Sequence, residues 1–297
     1  MIRHRALAFA LLVGLRPAHA QDLGALRALL EGRIARAPAG ATVGLYYRSF
    51  AGSDSLLVNA RARFHAASTM KVPVMIQLFR DADAGRLRLD DSLTVTKTFT
   101  SLFDGTPFDV DKADDSDSTL YGQVGRKVRV GDLLELMITV SSNLATNNLI
   151  QQVGAARADR TAHELGADSI RVLRGVEDGK AYRAGMNNTT TARDLGVLLA
   201  AIAQGTAASA ASCRDMLAIL ARQHFMEGIP AGLPAGTRVY HKTGWIEGVV
   251  YHDAAIVEPS VGRRYVLVVT TGAIKPDSAA SGLVADLSRL VYEAKRP

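Results

Sequence analysis

The stretch "HAASTMKVPV", residues 65–74, places Ser68 three residues before Lys71 at the start of an apolar segment. Residues three apart lie on the same face of a helix, so the hydroxyl and the amine are expected to face one way. A lysine in a buried helix is costly to desolvate unless it is paired. The spacing therefore predicts a nucleophile beside its base. The alternative is a helix-capping serine followed by a lysine that reaches the surface.

The segments around this motif predict strands at both ends of the chain and helices between them. The sequences "ATVGLYYRSF" and "SLLVNA" read as strands near the amino end, and "TRVYHK", "GVVYHDAAIV" and "RYVLVVTTG" near the carboxyl end. Short turns between the last three indicate antiparallel pairing. Apolar spacing predicts helices at 23–34, 68–84, 130–139, 144–153, 191–199, 216–224 and 283–294.

The expected fold class is α/β of the α+β type, in which an antiparallel sheet is built from both termini and flanked by helices. An all-helical domain is expected to be inserted into it. The sheet domain would comprise residues 21–67 and 226–297, and the helical domain residues 68–225. A ligand cleft is expected between the two, because pockets commonly form at domain interfaces.

The first twenty residues have the pattern of a secretory signal peptide. Arg3 and Arg5 precede an apolar run at 6–15, and Ala18-His19-Ala20 supplies small residues before a cut after Ala20. The alternative is a membrane anchor, although the apolar run is too short to span a bilayer. We therefore expect a periplasmic or secreted protein that is not held at the membrane after cleavage.

Composition argues against several classes of partner. The formal net charge of +6 falls to +3 without the three leader arginines, and the chain has no dense basic run, so no nucleic-acid partner is expected. The sequence carries no recognisable metal-binding motif, and we expect neither a metal nor a cofactor. Cys213 is the only cysteine, so no intrachain disulfide is possible. Cys213, His241 and His252 are expected to serve packing or structure.

Two further motifs follow the first in chain order. Ser141, Ser142 and Asn143 lie between two predicted helices, and Lys242-Thr243-Gly244 ends a predicted strand. S-x-x-K, S-D-N and K-T-G together are typical of serine β-lactamases and penicillin-binding proteins. The chain resembles that superfamily, most closely the class A serine β-lactamases, from its first helix to its last. The antiparallel sheet with a helical insertion that this resemblance implies agrees with the strand and helix pattern.

The chemistry requires these residue types. A serine hydroxyl is a poor nucleophile until a base removes its proton. Lys71 can act as that base if its pKa is lowered, and burial and the nearby cation Lys242 would both lower it.

The resemblance implies a role for each motif residue. Ser68 would be the acylated nucleophile, and Ser141 would pass a proton to the leaving nitrogen. Asn143 would bind the amide side chain of the substrate together with Lys71. Lys242 and Thr243 would hold the substrate carboxylate.

Two further positions of the third motif follow from the same resemblance. The backbone N–H groups of Ser68 and Trp245 would form the oxyanion hole, where donors meet developing negative charge. Gly244 would let the strand edge approach the ligand closely.

The chain departs from the class A pattern in three places. The R-x-E-x-x-L-N motif that carries the deacylating acid is absent, and Glu177 is the expected substitute with Asp178 in reserve. An exposed acidic turn is the alternative reading. Ser142 stands where the family has a buried aspartate. An acidic segment, 104–117, is expected to be a solvated surface loop, with a calcium loop as the alternative.

The sequence therefore predicts a monomeric secreted β-lactamase that opens a small-molecule β-lactam through a Ser68 acyl-enzyme. A D-alanyl-D-alanine carboxypeptidase acting on a peptidoglycan stem peptide is the first alternative. A non-catalytic β-lactam or cell-wall binding module is the second, and the presence of both Lys71 and Ser141 argues against it, because binding alone needs no proton relay.

Overall fold

The computed structural model of the protein describes residues 18–261 and 263–295. Most of the predicted signal peptide lies outside the described residues, so cleavage after Ala20 stays a prediction. No helix within the described ranges is long and apolar enough to cross a membrane.

The described residues form helices in the middle of the chain and at both of its ends. The α-helices are α1 (Ala18–Ile34), α2 (Lys71–Asp83), α3 (Val130–Thr139), α4 (Asn143–Val153), α5 (Ala155–Glu164), α6 (Gly179–Arg183), α7 (Ala192–Ala203), α8 (Ala210–Leu220) and α9 (Asp277–Ala294).

Long strands lie near the two ends of the chain and short ones lie between them. The strands are β1 (Thr42–Ser49), β2 (Ser55–Val58), β3 (Phe64–His65), β4 (Ser92–Thr94), β5 (Thr98–Thr100), β6 (Pro107–Asp109), β7 (Lys127–Arg129), β8 (Thr189–Thr190), β9 (Arg238–Ile246), β10 (Val250–Ser260) and β11 (Arg263–Gly272).

Five strands form one antiparallel sheet in the order β2-β1-β11-β10-β9. The first strand of the chain pairs with the last, with Leu45 opposite Val269, so both termini build the sheet. This arrangement confirms the predicted fold class. It places β9, the strand that carries Lys242, at an edge of the sheet. One edge of β9 pairs with β10, and its other edge does not pair with a described strand of this sheet.

Alternation along β1 sorts its side chains between two apolar cores. Val43, Leu45 and Tyr47 pack in an outer core with residues of α1 and α9. Tyr46 points to the inner face and packs in a second core with the central helices. Each sheet face is thus buried, as the period of two along a strand requires.

The inner core contains residues of the sheet as well as of the helices. Ala254 and Val268 on the sheet share it with Met75 of α2 and Leu195 of α7. The division into a sheet domain and a helical domain at the predicted boundaries stays a prediction.

Several predicted helix boundaries differ from the structure; α9, for example, begins at Asp277 and not at 283, and two further starts are instructive. The helix predicted at 216–224 is α8, which begins at Ala210, where Ser209 accepts a hydrogen bond from the N–H of Ser212 and caps it. The helix predicted from Ser68 is a 3-10 turn, Ala67–Met70, followed by α2. Both errors arise because an apolar pattern marks the buried face of a helix and not its ends.

Candidate active site

Ser68 lies in the 3-10 turn that joins β3 to α2, and its side chain is half-buried. The N–H of Lys71 donates to the carbonyl of Ser68, and side chains at this spacing stack above one another in a 3-10 turn. Neither the turn nor α2 has a side-chain cap, so the alternative of a helix-capping serine is wrong. The residue before Ser68, Ala67, has a φ of 45°, which is a strained conformation for a residue other than glycine.

A histidine of the sheet bonds the backbone just before this turn, at His65. His252 of β10 is fully buried, and its Nε2 lies 2.9 Å from the carbonyl oxygen of His65, while its Nδ1 lies 3.2 Å from the N–H of Thr271. Nδ1 therefore accepts and Nε2 donates, which is the neutral tautomer. Burial lowers the pKa of His252 to about 4, in accord with that tautomer and with the structural role expected from the sequence.

The Lys71 side chain is fully buried, so the alternative of a lysine that reaches the surface is wrong. Its Nζ donates to the carbonyl oxygen of Ser141 at 2.7 Å, to Oγ of Ser141 at 3.1 Å and to Oδ1 of Asn143 at 2.9 Å. These three acceptors use all the donors of an ammonium group. The first and second sequence motifs are therefore in direct contact.

A second buried amine reaches the same hydroxyl. Nζ of Lys242 donates to Oγ of Ser141 at 3.0 Å and to the carbonyl oxygen of Thr243 at 2.9 Å. Ser141 itself has a φ of 60°, which is strained for a serine and indicates that its surroundings fix this backbone. The Ser141 hydroxyl thus lies between the amines of the first and third motifs, where it can relay a proton.

Burial lowers the pKa of both amines, and the charge of Lys71 lowers that of Lys242 further. Burial lowers the pKa of Lys71 to about 7, although the charges of Asp115 and Glu177 oppose the change. The pKa of Lys242 is lowered by its own burial and by the charge of Lys71, with Asp253 opposing. A lysine with a pKa near 7 has a free amine in a large share of molecules at neutral pH, and a free amine can act as a base.

Asn143 connects Lys71 to the expected deacylating acid. Its Oδ1 accepts from Lys71, and its Nδ2 donates to Oε1 of Glu177 at 2.9 Å and to the carbonyl oxygen of Asp114 at 3.1 Å. Asn143 therefore contacts both Lys71 and Glu177, and Glu177 lies beside the first and second motifs.

The segment that carries Glu177 is anchored on both sides of this residue. The side chain of Asn147 accepts from the N–H of Val176 at 2.7 Å and donates to its carbonyl oxygen at 2.9 Å. On the other side, the carboxylate of Asp178 accepts hydrogen bonds from the hydroxyl of Ser101 and the N–H of Leu102. Glu177 itself has a φ of 61°, in the left-handed region that residues other than glycine rarely adopt, so the two anchors fix a strained backbone.

The two adjacent acids differ in their surroundings. Although the Glu177 residue is exposed as a whole, loss of water around its carboxylate and the charge of Asp114 raise its pKa, against the charges of Lys71 and Arg174. Burial alone would raise the pKa of Asp178, but hydrogen bonds from the N–H groups of Ala181 and Leu102 and from the hydroxyl of Ser101 lower it overall. A carboxylate that accepts several hydrogen bonds is a poor proton acceptor, so the geometry favours Glu177 over Asp178 as the base.

Asp115 contacts the site, and sequence reasoning missed it. Its carboxylate accepts hydrogen bonds from the N–H groups of Asn143 and Leu144, each at 2.8 Å. The expectation that 104–117 is only a solvated surface loop is therefore wrong for this part. Farther out, β5 and β6 form a hairpin, and Asp104 and Asp109 pair with Lys180 and Lys97. Among the described residues no cluster of His, Cys, Asp and Glu has the arrangement of metal ligands.

The third motif lies against the turn that carries Ser68. A Cβ on Gly244 would lie 2.9 Å from the backbone nitrogen of Thr69 and 3.0 Å from the carbonyl oxygen of Ala66, so only glycine allows β9 to approach this closely. Thr243 is buried beside it, whereas 54% of the Trp245 surface is exposed and its Nε1 donates to Asp277 at 2.9 Å.

Cys213 and His241 lie within the packed interior. Cys213 is a buried free thiol in the inner core, as expected for a packing residue. His241, next to Lys242, has its Nδ1 3.0 Å from Oδ1 of buried Asp253, whose other oxygen accepts from the N–H of Ile229 at 2.8 Å. This network joins β9 to β10, as expected for a structural histidine.

Comparison with known proteins shows which proteins this chain is similar to. The chain is 27% identical over 278 residues to a β-lactamase of Streptomyces lavendulae, covering 91% of this chain and 85% of that protein. The solved structure of a β-lactamase from Sphaerobacter thermophilus is 28% identical, with a TM-score of 0.76 over 92% of this chain and 97% of that one. A PBP-A variant, solved as an acyl-enzyme complex with penicillin G, is 30% identical, with a TM-score of 0.74 over 93% and 96%.

The family match extends from α1 to α9. Residues 25–294 match the sequence model described as the Beta-lactamase enzyme family. This range includes all three motifs, which the fold joins through the hydroxyl of Ser141 and the close approach of Gly244. By this match the chain belongs to the Beta-lactamase enzyme family.

Proposed function

We propose that the protein is a class A-like serine β-lactamase that hydrolyses the β-lactam amide through an acyl-enzyme on Ser68. The observation that carries the proposal is the position of the Ser141 hydroxyl, 3.1 Å from Nζ of Lys71 and 3.0 Å from Nζ of Lys242. A relay of this kind serves a reaction in which one proton leaves a nucleophile and another reaches a leaving group.

In acylation, Oγ of Ser68 attacks the β-lactam carbonyl carbon and its proton passes to the free amine of Lys71. As the ring C–N bond breaks, the Ser141 hydroxyl donates a proton to the departing nitrogen and is reprotonated from Lys71. The amine returns to its free form, and Ser68 carries the acyl group as an ester. A pKa of about 7 suits Lys71 to both directions of transfer near neutral pH.

In deacylation, Glu177 removes a proton from a water molecule, which attacks the ester carbonyl. The ester bond to Ser68 breaks, and the proton returns to Oγ of Ser68. The raised pKa of Glu177 makes it a stronger base than an ordinary glutamate once it is ionised.

Substrate binding is assigned to the remaining residues of the three motifs. Lys242 and Thr243 hold the substrate carboxylate, and Asn143 binds its amide side chain. The backbone N–H groups of Ser68 and Trp245 stabilise the oxyanion, and Gly244 keeps the strand close to the ligand. The small-molecule β-lactam is the only partner this mechanism needs.

The relatives support this assignment. The Streptomyces and Sphaerobacter proteins are named β-lactamases, and the PBP-A variant carries penicillin G as an acyl-enzyme. We further propose that the protein acts as a monomer in the periplasm or outside the cell after cleavage behind Ala20, and that its site lies between a sheet domain and a helical domain.

A second candidate function is a D-alanyl-D-alanine peptidase. The observation in its favour is that Oε1 of Glu177 is bound by Nδ2 of Asn143 in a segment without the R-x-E-x-x-L-N pattern. A base engaged in this way clears an acyl group more slowly, and an enzyme whose penicillin adduct persists behaves as a peptidase trapped by the drug.

The test is penicillin G and nitrocefin turnover, with mass spectrometry of the intact protein. We expect turnover and a transient adduct on Ser68 in the wild type. Ser68→Ala should lose at least about 10³-fold in activity and all labelling, because the nucleophile is gone. Ser118→Ala, at an exposed serine just after the acidic segment, is the matched control and should behave as the wild type.

Three outcomes separate the candidates. Rapid turnover supports the β-lactamase. A stable Ser68 adduct without turnover supports the peptidase, which should then release D-alanine from a D-alanyl-D-alanine peptide. An adduct that persists on the Ser68→Ala protein contradicts both.

A further inference from the structure

The amino end of α4 carries a neutral residue at the position that precedes Asn143. Four N–H groups at a helix start lack a partner within the helix, and the helix dipole favours a negative charge there. Ser142 supplies only a hydroxyl, which accepts from the N–H of Ala145 at 3.2 Å. The N–H groups of Asn143 and Leu144 need another acceptor.

A carboxylate from the acidic segment supplies that acceptor. Oδ1 of Asp115 accepts from the N–H of Asn143 and Oδ2 from the N–H of Leu144, each at 2.8 Å. The hydroxyl of Ser142 lies 3.4 Å from the same Oδ2. This bidentate contact has the short distances of charge-assisted hydrogen bonds.

Asp115 is itself held in place by its neighbours. The Tyr121 hydroxyl donates to its Oδ2 at 3.1 Å, and the N–H of Asp117 donates to its Oδ1 at 3.1 Å. The carbonyl oxygen of the preceding residue, Asp114, accepts from Nδ2 of Asn143. The segment therefore holds Asn143 by its backbone and by its side chain.

We propose that Asp115 is a positioning residue of the active site, which supplies from the acidic segment the carboxylate that orients Asn143 between Lys71 and Glu177. The inference rests on the proposed function, because it assigns a role in that acylation and deacylation. Asp115 acts through Asn143, whose side chain contacts both Lys71 and Glu177.

The charge of Asp115 also acts on the base. It favours the ammonium form of Lys71, as Glu177 does, and opposes the effect of burial on the pKa of Lys71. From β9, Lys242 contacts the same Ser141 hydroxyl, and its own pKa is lowered by burial and by the charge of Lys71, with Asp253 opposing. Removal of the Asp115 charge should therefore lower the pKa of Lys71, with the other three groups unchanged.

The test compares Asp115→Asn with Asp115→Asn/Ser142→Asp, in which the carboxylate is moved to α4 itself. Aspartate is a strong helix N-cap, so position 142 can carry the charge. The readout is the second-order rate constant for acylation by penicillin G between pH 5 and pH 9. Asp109→Asn, on the exposed pair with Lys97, is the control in the same segment and should match the wild type.

On the alkaline plateau, we expect Asp115→Asn to acylate about 10-fold more slowly or worse, since it loses two charge-assisted hydrogen bonds. Its acid limb should move to lower pH, because acylation needs the free amine and the amine now loses its proton more readily. The double variant should recover much of the rate and return the limb toward that of the wild type.

The outcomes are distinguishable from a failure of the proposed function. A wild-type protein that neither turns over nor labels on Ser68 overturns the proposed function and this inference together. A wild-type protein that labels, with Asp115→Asn equal to it in rate and acid limb per folded molecule, overturns the inference alone. Loss of thermal stability in Asp115→Asn with an unchanged pH profile assigns Asp115 a structural role and also overturns it.

Discussion

At the scale of single residues, the adjacent carboxylates of Glu177 and Asp178 lie in opposite environments. Asp178 is 2% exposed and accepts from Ser101, Leu102 and Ala181, so its oxygens are occupied. Glu177 meets Asn143 with one oxygen and has a raised pKa. A general base must have a lone pair within reach of a water molecule, and Glu177 meets this condition better.

We expect Glu177→Gln to keep the acylation burst on Ser68 but to lose about 10²–10⁴-fold in steady-state turnover, because the amide cannot take the proton of the water. The amide keeps the size of the side chain, so the loop should stay in place. The measurement is burst amplitude against steady-state rate with penicillin G.

Asp178→Asn is the matched control for that experiment. It should lower the free energy of unfolding by about 1–3 kcal/mol, since a charged acceptor of three hydrogen bonds is removed, with a smaller effect on turnover per folded molecule. Because the raised pKa of Glu177 must be exceeded for it to act as a base, deacylation should fall with decreasing pH sooner than for an ordinary glutamate. Wild-type turnover by Glu177→Gln would assign the water to another group.

At the scale of secondary-structure elements, α4 organises the site from one face. Asn143 and Asn147 are four residues apart and so lie one above the other on the helix. The first contacts Lys71 and Glu177, and the second holds both polar groups of Val176. One helix therefore contacts both the residues proposed for acylation and the segment of the proposed deacylating acid.

Gly175→Ala should disturb this arrangement selectively. A Cβ at Gly175 would overlap Oδ1 of Asn147, so the asparagine or the loop must move. We expect deacylation to slow by about 10²-fold, as a displacement of about 1 Å does at a reacting centre, with acylation changed much less. Gly52→Ala is the control, since its Cβ meets open space. Equal losses in both steps would show that the loop serves the whole site.

Local patterns are what the sequence could predict. Apolar spacing at 130–139 and 144–153 predicts α3 and α4, and the structure has these helices at the same residues with Asn143 added at the start of α4. Lys71, Lys242 and Ser141 could be predicted as site residues because each belongs to a motif with fixed spacing.

Contacts between distant irregular segments could not be predicted. Asp115 reaches Asn143 across 28 residues with no periodic pattern to mark it among the other aspartates. The placement of Glu177 depends on the hydrogen bond between Asn147 and Val176, which are 29 residues apart. It also depends on a positive φ at Glu177 itself, a conformation that the sequence does not indicate because the residue is not glycine. Such contacts are set by packing of the whole chain. The sequence shows that position 142 has no charge, but it does not show that Asp115 supplies a carboxylate to the start of α4 instead.

At the scale of the whole molecule, the inner core makes the sheet and the helices interdependent. Gly196 of α7 lies against the ring of Tyr46 of β1, and a Cβ there would overlap the ring. The helix can pack this closely on the sheet only without a side chain at that position. The site depends on the same interface, because Lys71 belongs to α2 and Lys242 to β9.

Gly196→Ala should lower the free energy of unfolding by about 1–3 kcal/mol, since the cost of overpacking exceeds the gain from a better helix former. Gly32→Ala in α1 is the control: its Cβ meets nothing, and it should be neutral or stabilising by up to about 1 kcal/mol.

The coupling of the sheet to the helices can be measured by hydrogen exchange with increasing urea, which gives the opening free energies of amides in β10 and β11 and, separately, of amides in α3 and α4. Because the inner core contains residues of both groups, we expect one shared opening free energy for the slowest amides of each, lowered equally by Gly196→Ala. Separate values for sheet and helices would mean that the two predicted domains unfold independently, and the packing of Tyr46 on α7 would then not couple them.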